Sequence, residues 1–205
     1  MATVLVTGFG PFPGAPINPT EQIVRRLARS SRLHGHAIAG HVFETSYTAV
    51  ERDLPRLIAK HHPRAIVLFG LAASTPHLRI ETLAHNEITR QQVDVTGNMP
   101  MQNAIRPACA MTLRGRAPFT RLVNAARVAG VKAQRSQDAG RYVCNYIYWR
   151  AIEASRKPGG PKRVVFVHVP ELRSGKTPGS LVGLHLLVRA AQAIVIAAIN
   201  DLPPR

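Results

Sequence analysis

Short β-branched runs alternate with helical periods along most of the chain, and that alternation restricts the fold more than any other feature. Thr3 to Thr7 (Thr-Val-Leu-Val-Thr) is short, apolar and β-branched, as suits a strand buried on both faces. Glycine and proline follow at once. Asn18 then offers an N-cap, Pro19 takes the first helical position, and Ile23, Val24 and Leu27 recur at helical spacing up to Arg32. The pattern repeats: Ala37 to Phe43 reads as a strand, Tyr47 to Lys60 as a helix with Val50, Leu54, Leu57 and Ile58 inward, and Ala65 to Phe69 as a second buried strand. Such alternation implies a layered α/β domain.

Ile80 to Ala84 reads as a further strand, whereas Thr89 to Arg116 shows no clean period and is expected to be a long, mobile loop. Phe119 to Ala129 reads as a helix ending at Gly130, Val131 to Arg135 as a short strand, and Tyr142 to Ser155 as a helix. Val164 to His168 is an apolar strand stopped by Pro170. Arg173 to Gly179 is a Gly/Pro-bearing turn into the last helix, where Leu181, Leu184, Val188, Ala191, Val195 and Ala198 share a stripe. No composition shift or internal repeat divides the chain, so one domain over residues 1–205 is expected.

Composition bears on compartment and partners. Lysine and arginine number 27 against 11 acids, a formal net charge of +16, and 22 of the 27 are arginine. A basic surface neutralises phosphates or merely keeps a protein soluble, and distribution separates the two. Apart from Arg25, Arg26, Arg29 and Arg32 the basic residues are scattered, without interleaved aromatics, so no nucleic-acid partner is expected. Two cysteines, Cys109 and Cys144, make neither a disulfide scaffold nor a four-cysteine zinc module, and a reducing cytosol fits them. Met1 to Gly14 lacks a basic n-region and does not read as a signal peptide. Leu181 to Ile199 is interrupted by His185, Arg189 and Gln192, whereas a membrane span needs roughly 20 mostly apolar residues. A docked helix and a cytoplasmic protein without a membrane partner are expected.

Three residues at the edges of elements carry chemistry. Cys144 follows a small-residue turn, Asp138-Ala139-Gly140, at the first turn of a helix, where unpaired amides and the macrodipole favour a thiolate. His168 closes an apolar strand, at the end where α/β sheets gather their functional groups, and is able to exchange a proton with a thiol and a leaving amine. Glu81, an acid inside an apolar strand, would fix the imidazole tautomer. Taken singly, Cys144 also reads as a small residue packing a helix end, His168 as one of nine histidines with a structural role, and Glu81 as a salt-bridge partner for an arginine.

Taken together they lie within motifs spread over nearly the whole chain: Val6-Thr7-Gly8-Phe9-Gly10-Pro11-Phe12 with Ile17-Asn18-Pro19-Thr20-Glu21, Ile80-Glu81 through Asn86, Ala139-Gly140-Arg141-Tyr142-Val143-Cys144-Asn145, and Val167-His168-Val169-Pro170. In these the chain resembles the pyroglutamyl-peptidase I family of cytosolic cysteine peptidases. The resemblance implies a three-layer α/β/α sandwich of phosphorylase/hydrolase-like type around a mixed sheet. It implies Cys144 as nucleophile, His168 as general acid/base and Glu81 as its orienting partner, with no metal and no cofactor. The implied substrate is an amino-terminal pyroglutamyl peptide, whose neutral lactam calls for an apolar pocket. Phe9 and Phe12 would face the ring by analogy, Asn18 would tie their loop to the helix, and Tyr142 would line the same pocket. Arg141 would favour the Cys144 thiolate.

The chain also departs from the family. Gly70-Leu71-Ala72-Ala73-Ser74 stands where the family has Gly-Gln-Ala-Gly-Gly-Arg, and Glu81-Thr82 stands for its Glu-Arg pair. Such changes bear on recognition more than on the acyl-transfer residues. They motivate a rival, a catalytically weak homologue that binds pyroglutamyl or related cyclic amides; the net charge alone motivates another, a basic nucleic-acid-associated protein. Apolar residues in 89–116 suit a subunit contact in a dimer or tetramer, or a lid.

Overall fold

The computed structural model describes residues 3–172 and 182–202, and a seven-stranded sheet forms its centre. In chain order the elements are β1 (Thr3–Phe9), α1 (Pro19–Arg29), β2 (Arg32–Leu33), β3 (His36–Phe43), α2 (Tyr47–His61), β4 (Ala65–Leu71), β5 (Leu78–Glu81), β6 (Leu83–His85), β7 (Thr112–Arg114), α3 (Phe119–Val128), β8 (Ala133–Ser136), α4 (Val143–Ser155), β9 (Arg163–Val169) and α5 (Leu184–Ile199). The strand order is β2-β3-β1-β4-β9-β5-β8, with β3, β1, β4 and β9 parallel. Strand β5 runs antiparallel to β9 and parallel to β8, so the sheet is mixed.

Strand alternation builds two cores, one on each face. Val4, Val6, Val67, Ile80, Val165 and Val167 pack with α1, α3 and α5, whereas Leu5, Ile66, Leu68, Val164 and Phe166 pack with α2 and α4. This is the expected three-layer α/β/α arrangement. The central strands are mostly apolar because both their faces are covered.

Several boundaries differ from the sequence reading for local reasons. Helix α1 stops at Arg29, where the Ser30 amide donates to the Leu27 carbonyl and the chain turns back as β2 along β3. The run Ile80–Ala84 is two strands: the Thr82 amide and hydroxyl both donate to the Ser136 carbonyl, at 2.7 and 2.9 Å, and the chain leaves the main sheet there. Residues 89–116 are not structureless. Thr112–Arg114 pairs antiparallel with Leu83–His85, Asn86 exchanges two hydrogen bonds with Arg106, and the buried Asp94 accepts the Tyr47 amide at the start of α2. The stripe of α5 centres on Leu187, Ala191, Ile194 and Ala198, with Leu184 and Val188 at its margin. The turn expected over 173–179, and Leu181, lie outside the described residues. Among the described residues no helix is long and apolar enough to cross a membrane.

Candidate active site

The site is built on the α2/α4 face, near the carboxyl ends of β4 and β9. Alternation along β9 puts His168 on the same face as Phe166, and the two rings lie 4.8 Å apart. Glu81 pairs with Phe166 across the antiparallel β5·β9 ladder and faces the same way. His168 Nδ1 and Glu81 Oε1 are 2.8 Å apart, with Glu81 fully buried and His168 5% exposed. An ionised carboxylate only accepts, so the bond assigns the proton to Nδ1 and leaves Nε2 as the basic nitrogen.

Cys144 arrives from the other layer, as the second residue of α4. Its N-cap residue, Tyr142, makes no side-chain cap, which leaves amides of the first turn for another acceptor. Its sulfur lies over Gly70, the parallel partner of His168: a Cβ on Gly70 would stand 2.8 Å from Cys144 Sγ and 2.7 Å from Phe166 Cζ. Sheet and helix thus bring sulfur and imidazole to one face at neighbouring positions. Burial, and next the Glu81 carboxylate, push the Cys144 thiol up to about 12. The assembled core thus opposes the thiolate that a helix start alone favours. Arg141 does not alter this, because its guanidinium is bound to Glu87 and Asp138.

The loop after β1 is held as expected. Asn18 caps α1 through the Thr20 amide at 3.1 Å, and its Nδ2 donates to the Gly10 carbonyl at 3.0 Å. The Gly10 amide donates to the Phe43 carbonyl at 2.8 Å. Gly8 is required here, since a Cβ would stand 2.7 Å from the Thr20 carbonyl oxygen. Phe9 is buried in the core cluster that Cys144 and Tyr142 adjoin, 6.2 Å from Phe43, whereas Phe12 is half-buried on the turn closed with Ala15. Tyr142, half-buried, packs edge-on against Tyr47 at 5.9 Å and donates its hydroxyl to the Val93 carbonyl at 3.0 Å, tying 89–116 to the nucleophile's helix. A groove of about 750 Å³ between α2 and the end of α4 contains none of the seven expected site residues.

A family model described as pyroglutamyl peptidase matches residues 2–200. The chain belongs to the pyroglutamyl peptidase family. The pyrrolidone-carboxylate peptidase 1 of Ralstonia nicotianae is 32% identical over 198 residues, 96% of this chain and 92% of that protein. The pyrrolidone-carboxylate peptidase of Thermococcus kodakarensis is 32% identical over 167 residues, 82% of this chain and 80% of that one. Of solved structures, the pyrrolidone carboxyl peptidase from Thermococcus litoralis matches with a TM-score of 0.90 at 26% identity, covering 98% of this chain and 95% of that one. Pyroglutamyl peptidase I of Bacillus amyloliquefaciens matches at 0.89 and 26%, covering 98% of each chain.

Three residues of this pyroglutamyl peptidase family member escaped the sequence reading. Gly70 makes room for the sulfur. Asn145, fully buried, brackets the chain after β6: its Oδ1 accepts the His85 amide, and its Nδ2 donates to the carbonyls of His85 and Glu87. Only its place beside Cys144 would have signalled that role. Arg79 stands beside Glu81, with Nε 3.1 Å from Oε1, and one arginine among 22 gives no signal by itself.

Proposed function

We propose that the protein is a cysteine peptidase that removes an amino-terminal pyroglutamyl residue from peptides. The observation that carries this is the buried Glu81–His168 pair, 2.8 Å apart, on the sheet face over which the Cys144 sulfur lies. Family membership supports the substrate class.

The chemistry follows from the proton positions. His168 Nε2 takes the Cys144 proton as the sulfur attacks the pyroglutamyl carbonyl carbon, and Nδ1–H stays on Glu81, which stabilises the imidazolium. Because the free thiol is held well above neutrality, this transfer belongs to the attack itself rather than to the resting enzyme. The carbonyl oxygen gains the negative charge, and the uncapped amides opening α4 are its donors. The tetrahedral intermediate collapses as the C–N bond breaks and Nε2–H protonates the departing amine. A thioester to Cys144 remains. Water then adds to it with His168 as base, the C–S bond breaks, the thiol regains its proton, and pyroglutamate leaves.

Substrate recognition falls to the loop after β1 and to Tyr142, with Phe9, Phe12 and the tie through Asn18 offering an apolar floor to a neutral lactam. The two cores share one sheet, which supports a single catalytic domain over residues 1–205. The free thiols of Cys109 and Cys144 suit a reducing compartment such as the cytosol.

The test is release of pyroglutamate, or of a reporter amine, from a pyroglutamyl amide by the pure protein. Turnover that disappears in Cys144→Ala is expected. No turnover by the wild type, or undiminished turnover in Cys144→Ala, overturns the assignment.

A further inference from the structure

Strand β5 brings a second charged residue to the face that bears the acid. Leu78 and Ile80 enter the core with α1, α3 and α5, so Arg79 and Glu81 point to the other side together. Arg79 Nε lies 3.1 Å from Glu81 Oε1, the oxygen that also accepts from His168 Nδ1. Its guanidinium is fixed from behind: Nη2 donates to Ser136 Oγ at 2.8 Å and to the Asp138 carbonyl, and Nε donates to Ser136 Oγ at 3.3 Å. Ser136 ends β8, and Asp138 lies in the turn that leads to Cys144. One side chain therefore spans the acid and the segment that delivers the nucleophile.

The proton steps above make no use of this span, yet the burial of Glu81 calls for it. The carboxylate is 0% exposed, and its Oε2 has no hydrogen-bond partner among the described residues. A buried charge so poorly solvated survives only beside an opposite charge. A neutral imidazole offers Glu81 a hydrogen bond but no charge. Without a cation, the buried carboxylate would rest on the single hydrogen bond from the ring, with its second oxygen unpartnered among the described residues. The residue after the acid, arginine in the family pattern, is Thr82 here, and it is buried with its hydroxyl on the Ser136 carbonyl.

We infer that Arg79 is a positioning residue for the catalytic pair: its guanidinium holds the Glu81 carboxylate in place as the acceptor for His168 Nδ1–H and pins residues 136–138 ahead of Cys144. The inference rests on the peptidase reading of the site, and the experiment separates the two.

Arg79→Met, Arg79→Lys and Ser136→Ala are compared with the wild type as full chains, by hydrolysis of a pyroglutamyl amide and by the downfield proton NMR signal of His168 Nδ1–H, assigned with His168→Asn. Arg79→Met is expected to lower kcat roughly 10- to 100-fold, the scale for loss of a partner behind a functional histidine, with KM within about twofold, and to weaken or abolish the signal. Arg79→Lys keeps the charge without the fork and should restore much of both. Ser136→Ala, which only loosens the guanidinium, should fall between Arg79→Lys and the wild type. Wild-type kcat with an unchanged signal in Arg79→Met overturns the inference, as does an equal loss in the Met and Lys variants with the signal intact. If Arg79→Met does not fold, unchanged kcat and signal in both Arg79→Lys and Ser136→Ala overturn it. If the wild type hydrolyses no pyroglutamyl amide, the peptidase reading fails, and survival of the signal in Arg79→Met still overturns the role of Arg79.

Discussion

Gly70 and Cys144 meet across the sheet–helix boundary so closely that a single added methyl carbon would stand 2.8 Å from the sulfur. Phe166 borders the same space, with Cζ 2.7 Å from that added carbon. Gly70→Ala is therefore expected to displace the nucleophile. Overpacking of this kind costs about 1–3 kcal/mol of stability, and the larger effect should fall on kcat/KM. Melting curves and steady-state kinetics check the two, and near wild-type kcat/KM in Gly70→Ala would contradict this geometry.

The raised Cys144 thiol makes a prediction of opposite sign to the usual picture of an activated cysteine. In the free protein the exposed Cys109 should react with iodoacetamide before Cys144 near neutral pH, and Cys144 should gain reactivity steadily as pH rises. Peptide mapping after a short pulse reads the order. The linkage has a definite sign too. An unfolded thiol ionises near pH 8.5, whereas the folded one resists until about 12, so folding loses stability across that window as pH rises. Cys144→Ala should lose less stability there than the wild type, with denaturant midpoints as the measurement.

Asp94 should matter at the other end of the pH scale. Burial alone would raise its carboxyl, but hydrogen bonds from the Thr96 hydroxyl and the amides of Tyr47, Asn98 and Thr96 prevail and hold it below the usual carboxylate value. Its stabilising effect is complete above an unfolded pKa of about 3.9 and fades as pH falls through the lower folded value. Asp94→Ala should cost about 1–2 kcal/mol at neutral pH, by loss of the acceptor at the start of α2. Urea melts at pH 7 and below pH 4 should show the difference shrinking with acidification.

Asn18 separates binding from chemistry. Replacing it with alanine removes the cap of α1 and the bond to the Gly10 carbonyl, at a cost of about 1 kcal/mol. The loop carrying Phe9 and Phe12 should loosen, raising KM while kcat changes little. A fall in kcat with unchanged KM would place the loop's role elsewhere.

What the chain reveals before folding depends on how far each signal travels. The central strands and the start of α4 announce themselves because their residues are buried by near-continuous apolar runs or by a turn within five residues. Cys144, His168 and Glu81 were legible as motif residues at element edges. Gly70 was not, since its requirement comes from a sulfur 74 positions later in the sequence. Thr112–Arg114 was hidden for a related reason: three residues carry no period, and their partner strand lies on the far side of a long irregular segment. The upward push on the Cys144 thiol was not legible, because a helix start is a local feature, whereas burial and the Glu81 charge belong to the assembled core.

The layering also divides the site unequally. Glu81 and His168 are fastened to adjacent strands and move with the sheet, but Cys144 belongs to a helix laid on top of it. Acid and base therefore have one mechanical home and the nucleophile another. Warming that loosens the helix layer by an ångström would part sulfur from imidazole while every strand remained paired, so heat inactivation should set in several degrees before the sheet melts, and should reverse on cooling.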